Sequence, residues 1–481
     1  SRALYSYAES AIDSTNSLPY NFTDLYGKLS FLTGNGSKLN VFGFNFRDQI
    51  NFSVADLSWL STGVGADFTV IPPSSNFIFG GTVAFSDYDI ELIEQDGNPR
   101  QSSISNVSAQ LDFTYFGGSS ELNYGFKFNG ISTDFTFRNF LGNTIEQLDF
   151  TTELAGFLVY KQKLGNVILE PSLRMQFYPS QGATSIEPRF GAKWNITDFL
   201  RFKAAGGLYS QNLLSSTNES DVVSLFVGFL TGPEESIKLP GSNEIASNRL
   251  QTAAHAVAGF EVDLTSQLEF NVEGYYKDFT QLIFVNRNKL SQSDPDYAAE
   301  TGDAYGVDFS LRYENNKGLY LWGTYSHGYV NRNDGEEEFP TVFDRRHNVN
   351  LLGTYTFGEK DAWELGVRWN YGSPFPFTQT QGFFSLINFI EQGLGTDPLT
   401  TNPPLGVIFA DERNGGRLVP YHRLDASLKR TIFFGEYTSL EILASVTNVY
   451  NRSNIFFIDR KTADRVDQLP ILPSLGITLN L

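Results

Sequence analysis

The chain has no cysteine, which removes disulfide frameworks, thiolate metal sites and cysteine nucleophiles from consideration. Histidine is nearly as scarce. The four residues His255, His327, His347 and His422 form no HExxH pair, so a zinc-protease helix is excluded. Positive charge is short as well: 35 Lys and Arg stand against 54 Asp and Glu, a net charge of −19. That balance lacks the basic surface with which a nucleic-acid binder neutralises phosphates. Nowhere do the roughly eighteen consecutive apolar residues of a membrane helix occur.

What the chain has instead is aromatic residues and glycine, with 43 Phe, 23 Tyr and 43 Gly among 481 residues. Its apolar residues recur with period two. Val107, Ala109, Leu111, Phe113 and Tyr115 alternate with Ser108, Gln110, Asp112 and Thr114, which puts the apolar set on one face of a strand. After Gly117-Gly118-Ser119-Ser120 the pattern resumes with Leu122, Tyr124, Phe126 and Phe128 against Asn123, Lys127 and Asn129, so a hairpin is predicted. Similar runs surround Leu268 to Tyr276, Val307 to Tyr313, Trp363 to Tyr371 and Leu424 to Leu428.

A soluble sandwich also alternates, but three features favour a transmembrane barrel. The runs last roughly nine to twelve residues, enough to cross a bilayer at a tilt, against about five or six for soluble strands. Short turns (34–37, 72–75, 117–120, 165–166, 315–318, 358–362) take turns with longer polar segments (95–101, 138–146, 215–249, 287–302, 333–346, 374–419), the asymmetry of outer-membrane barrels. Aromatic clusters such as Phe42, Phe44 and Phe46, Tyr275 and Tyr276, or Phe375 and Phe377 suit interfacial girdles. The predicted fold class is all-β, a transmembrane antiparallel β-barrel with about nineteen strands, the first within 21–33 and the last within 475–481.

Several segments resemble the barrel of TonB-dependent transporters, in particular those of Bacteroidota. They are Leu18 to Leu29, Glu187-Pro188-Arg189, Lys203-Ala204-Ala205-Gly206 with Tyr209-Ser210-Gln211, Phe343-Asp344-Arg345-Arg346-His347, Tyr421-His422-Arg423-Leu424-Asp425 and Thr447-Asn448-Val449-Tyr450-Asn451-Arg452. The resemblance implies the 22-strand class with a plugged lumen. Nineteen strands plus three preceding ones reach that number. The expectation is therefore that residues 1–481 are an outer-membrane barrel entered within its third strand, with Arg2 to Tyr7 as the remnant of that strand and the plug and first strands absent. The resemblance further implies import of an extracellular nutrient across the outer membrane of a Gram-negative bacterium, energised by TonB, ExbB and ExbD through the plug. The alternative is a transporter-like barrel fixed as a structural subunit of a larger outer-membrane complex. Implied partners are the lipid bilayer, lipopolysaccharide, TonB, and a surface lipoprotein or other outer-membrane subunits, with no nucleic acid.

Candidate functional residues follow from face and loop. Arg189, Lys203, Glu261, Glu273, Lys277, Arg312, Arg368 and Arg423 fall on polar faces and are expected to project into the lumen or against a plug. Phe226, Phe229, Phe383, Phe384 and Phe389 lie in the longest segments and are candidates for ligand contact, with loop packing as the equal alternative. Asp294, Asp296 and Asp303 with Glu300 form an acidic stretch that offers calcium oxygen ligands in an extracellular loop, although no EF-hand spacing is present and a solvated charged loop is the plainer reading. No other cofactor is expected. No GxSxG elbow accompanies the histidines, so no catalytic residue is assigned and enzyme activity is not expected. Protease added to intact cells is expected to cut first within 215–249 or 374–419.

Overall fold

The computed structural model describes residues 20–51, 55–94, 99–138, 144–216, 222–223, 226–233, 237, 239, 244–246, 248–286, 295–315, 317–385, 405–435 and 438–480. Among them one sheet dominates, with twenty strands paired antiparallel to their chain neighbours. One of the twenty, Glu338–Pro340, is a three-residue strip folded back on the end of the strand Leu319–Asn333. The other nineteen form the wall, from Tyr20–Leu32 to Leu472–Asn480. The expected strand number therefore holds, as does the placing of the first and last strands.

Wall strands run from 9 residues (Ser439–Thr447) to 21 (Thr144–Leu164). A tilted membrane crossing needs about ten. The longest strands thus extend well beyond the hydrocarbon layer, which corrects the nine to twelve residues expected from alternation. The physical reason is that backbone pairing continues where side-chain alternation stops. Ser102 to Asn106, polar on both faces but for Ile104, pair through to Ile90 and Ile131 on their two neighbours. For the same reason the segments expected as loops at 95–101 and 138–146 are narrower, since strands run to Glu94 and Arg138 and restart at Pro99 and Thr144.

The two faces of the wall differ as a lipid and a lumen would demand. Leu111, Phe126, Leu148, Phe150 and Leu158 are exposed on one side, Phe126 at 65% and Leu148 at 75%. Side chains of that size are left open to solvent only where the solvent is hydrocarbon. Polar residues between them, such as Lys127, Asn129 and Glu153, face the interior, where Asn129 Nδ2 donates to Glu153 Oε2 at 3.2 Å. The run Phe42, Phe44 and Phe46 belongs to this inner face and is not a girdle. It shares the face with Asn40, whose amide donates to Asp67 at 2.7 Å, while Leu39 and Val41 point outward. Gly65 and Gly63 stand opposite Phe42 and Phe44, and a Cβ at either would come within 2.7 or 2.5 Å of the facing ring. The rings lie flat on the strand because those glycines have no side chain.

Candidate functional site

The first feature over the lumen is a lid. The described residues of 212–250 leave the strand Leu200–Gln211 and fold inward, forming a small hairpin of Leu213–Ser216 with Gly228–Thr231. Leu214, Phe226 and Leu230 are each 1% exposed. They pack in one cluster with Leu57, Leu92 and Phe135 from early strands and with Ile283, Tyr297 and Ala299 from strands much later in the chain. Apolar side chains inside an aqueous lumen have nowhere else to bury their surface, and each such burial contributes about 1.5–3 kcal/mol.

Hydrogen bonds fix the lid at its margins. Phe229 N donates to Ser102 Oγ at 2.8 Å and Asn212 Nδ2 to Thr151 Oγ1 at 2.9 Å. Asn212 Oδ1 accepts from Gln181 Nε2 at 2.7 Å, and Gln281 Nε2 donates to the carbonyl of Leu250 at 2.8 Å. Tyr297 Oη donates to Gln147 Oε1 directly from one wall to the other. The structure thus places Phe226 in packing, without exposed surface for a solute, and Phe229 half-buried against the Tyr88 ring with centroids 5.8 Å apart.

A second group of loops closes on buried carboxylates at the rim. Glu300 is fully buried and accepts from Arg332 Nη1 at 3.3 Å and Arg413 Nη1 at 3.2 Å, and the Arg413 guanidinium lies 3.6 Å over the Phe339 ring. Asp344, also fully buried, takes Arg417 at 2.7 Å and Arg346 at 3.2 Å. Phe383 and Phe384 sit on the hairpin of Thr380–Ser385 with Leu405–Phe409, 41% and 37% exposed. Phe389 and Asp294 lie outside the described residues. Asp303 stands opposite Asp278 in register, and no three metal-capable side chains converge among the described residues.

Below the lid the inner wall carries charge in rows, because antiparallel register brings inward residues of adjacent strands side by side. Toward the short-turn end Arg201 grips Asp263 with two nitrogens, at 2.6 and 2.8 Å, and also donates to Glu261. Lys203 bridges Glu261 at 3.1 Å and Glu273 at 3.3 Å, with Lys193 3.7 Å from Glu261. Arg312 meets Glu269 at 2.8 Å and Arg423 meets Asp425 at 2.9 Å, while Arg368 registers opposite that aspartate. Lys193, Arg201 and Asp263 are members of this ladder that sequence reasoning missed, although the spacings Arg201-x-Lys203 and Glu261-x-Asp263 already put each pair on one face.

Nearer the lid a different row runs Arg189, Gly207, His255, Lys277 across four strands. Tyr209 rises next to Gly207, its ring held between the Arg189 guanidinium at 4.3 Å and the His255 imidazole at 4.4 Å. Arg189 Nη2 pairs with Glu187 Oε2 at 2.6 Å. That carboxylate is 1% exposed, and it also takes Gln176 Nε2 at 2.7 Å and Ser210 Oγ at 2.6 Å. The remaining histidines stack on rings elsewhere: His327 on His347 at 4.7 Å on the outer face, and His422 beside Tyr450 with a 2.7 Å hydrogen bond.

No protein-family model matches the chain, and no curated protein matches it in sequence. Solved structures do match in fold. The ferric enterobactin receptor PfeA of Pseudomonas aeruginosa is 11% identical, with a TM-score of 0.61 over 96% of this chain and 69% of its own. The ferric citrate transporter FecA is 12% identical with a TM-score of 0.61, covering 96% and 70%. The ferric-catecholate import receptor Fiu of Escherichia coli K12 is 10% identical with a TM-score of 0.65, covering 96% and 75%. The fold of this chain is that of the β-barrel of these outer-membrane receptors.

Proposed function

We propose that this chain is the barrel of an active importer in the outer membrane of a Gram-negative bacterium, of the Bacteroidota kind, taking up an extracellular nutrient. The energy would come from TonB, ExbB and ExbD through a plug domain. The observation that carries the reading is the fold likeness over 96% of the chain to a ferric citrate transporter, a ferric-catecholate import receptor and a ferric enterobactin receptor. It is joined by the inward-folded lid and the lumen lined with paired charges, which suit a passage that is gated rather than open. Uptake by cells expressing the full-length protein, measured with and without TonB, tests it. Ligand-dependent uptake lost on TonB deletion is the expected result. Co-purification in fixed stoichiometry with other outer-membrane proteins, with no such uptake, would put a structural subunit in its place.

A further inference from the structure

The geometry points to an anion site on the inner wall, in the row of Arg189, His255 and Lys277 beside Tyr209. Three observations lead there. The first is register: the three nitrogen-bearing side chains lie in one line across adjacent strands, and the gap in that line is Gly207, where any side chain would strike Arg189, with Cγ 2.6 Å from an added Cβ. The stem of Arg189 fills the space over that glycine and brings its guanidinium to the Tyr209 ring.

The second is satisfaction. Arg189 Nε and His255 Nε2 are buried nitrogens without a hydrogen-bond partner among the described residues, and Lys277 has only the Tyr275 ring, 5.7 Å away, and no carboxylate partner there. A buried nitrogen without a partner is unfavourable, so these two favour an acceptor beside them, with the Lys277 ammonium next in line. The third is preorganisation. Tyr209 clamped between Arg189 and His255 fixes both side chains before anything binds, so their ordering is not charged against the occupant. Glu187 neutralises part of the Arg189 charge through Nη2 and leaves Nε free, while the ladder below is closed on itself through Lys203, Glu261 and Glu273.

A carboxylate or phosphate oxygen meets these demands, since it accepts from several donors at once and the bonds are charge-assisted. Two sources present that chemistry: a small anion arriving from outside, or an acidic side chain of another segment of the protein entering the lumen. Only the first rests on the import reading above. The experiment uses the full-length protein in detergent micelles with carbon-13-labelled histidine, the His255 resonance being assigned by its loss in His255→Gln. Citrate is titrated at constant ionic strength, with sucrose as the neutral control. Saturable movement of the His255 signal, with His327, His347 and His422 still, supports a small-anion site. Lys277→Gln should then raise the half-saturation concentration by about tenfold, the loss of one charge-assisted contact, and Lys277→Arg should restore it. A silent titration with a zero-length carbodiimide cross-link from Lys277 to a carboxylate elsewhere in the protein supports the internal source. Neither movement nor cross-link overturns the site. Failure of TonB-dependent uptake with an intact citrate titration would overturn the import reading and leave the site standing.

Discussion

Replacing Phe226 by alanine removes from the lid a ring that is 1% exposed and belongs to the cluster that joins early and late wall strands. A buried Phe→Ala change costs about 3–5 kcal/mol, because the lost burial is compounded by the cavity left behind. Phe226 is part of the lid, so the loss falls on lid opening rather than on the wall, whose strands are tied by their own ladders. At about 1.4 kcal/mol per factor of ten, opening becomes roughly two to three and a half powers of ten more frequent. Hydrogen exchange read by mass spectrometry reports this directly. Peptides from 222–250 should lose protection by that factor, while peptides from Ser120–Arg138 and Thr144–Leu164 keep theirs. Phe383→Ala, on a hairpin outside the cluster, should leave the lid unchanged. Unaltered protection of 222–250 would refute the packing argument, and so would an equal rise across the wall, which would mean that lid and barrel open together. The same packing revises the order of proteolysis on intact cells: the 380–409 hairpin should be cut before the lid.

Three further outcomes test the faces and the rim. Phe126→Arg places a cation on the lipid side near mid-membrane and should lower refolding stability in vesicles by about 2–4 kcal/mol, whereas Asn123→Arg on the lumen side should cost far less by urea titration. Gly63→Val drives a side chain into the Phe44 ring and should destabilise the barrel by about 1–3 kcal/mol, with Phe44→Ala in the same protein recovering most of it; no recovery would place that ring elsewhere. Glu300→Gln leaves Arg332 and Arg413 sharing a neutral acceptor. It should loosen 405–417 by about 1–3 kcal/mol in exchange experiments, and unchanged protection there would show that the carboxylate does not hold the loop.

The wall was legible in the sequence because alternation is a local signal. Val107 to Tyr115 announces a strand from nine residues, and nineteen such signals give the strand number and the end at which the tight turns lie. Which face is which was less legible where both carry apolar groups. In Leu39 to Phe46 the aromatic set faces the lumen and the aliphatic set the lipid, and period two is the same either way round. The lid was not legible at all. Phe226 shares one cluster with Leu92 and Phe135, 134 and 91 residues away in the chain, and nothing in the local run of 215–249 encodes partners so distant. The lumen rows fall between these cases. Spacing gives the face of Arg201 or Lys203, but only register tells that Glu261 and Glu273 stand beside them.

The bond from Tyr297 to Gln147 spans 150 residues of chain, and the cluster around Phe226 ties together segments as far apart as Leu57 and Ala299. Contacts of such separation cannot form until the intervening strands have paired and the sheet has curled enough to bring its far sides together. The lid is therefore among the last parts of the described structure to assemble. Until it does, the mouth stands open and Leu214, Phe226 and Leu230 lack the walls that bury them, so the order in which the protein is built leaves closure to a step after the wall itself.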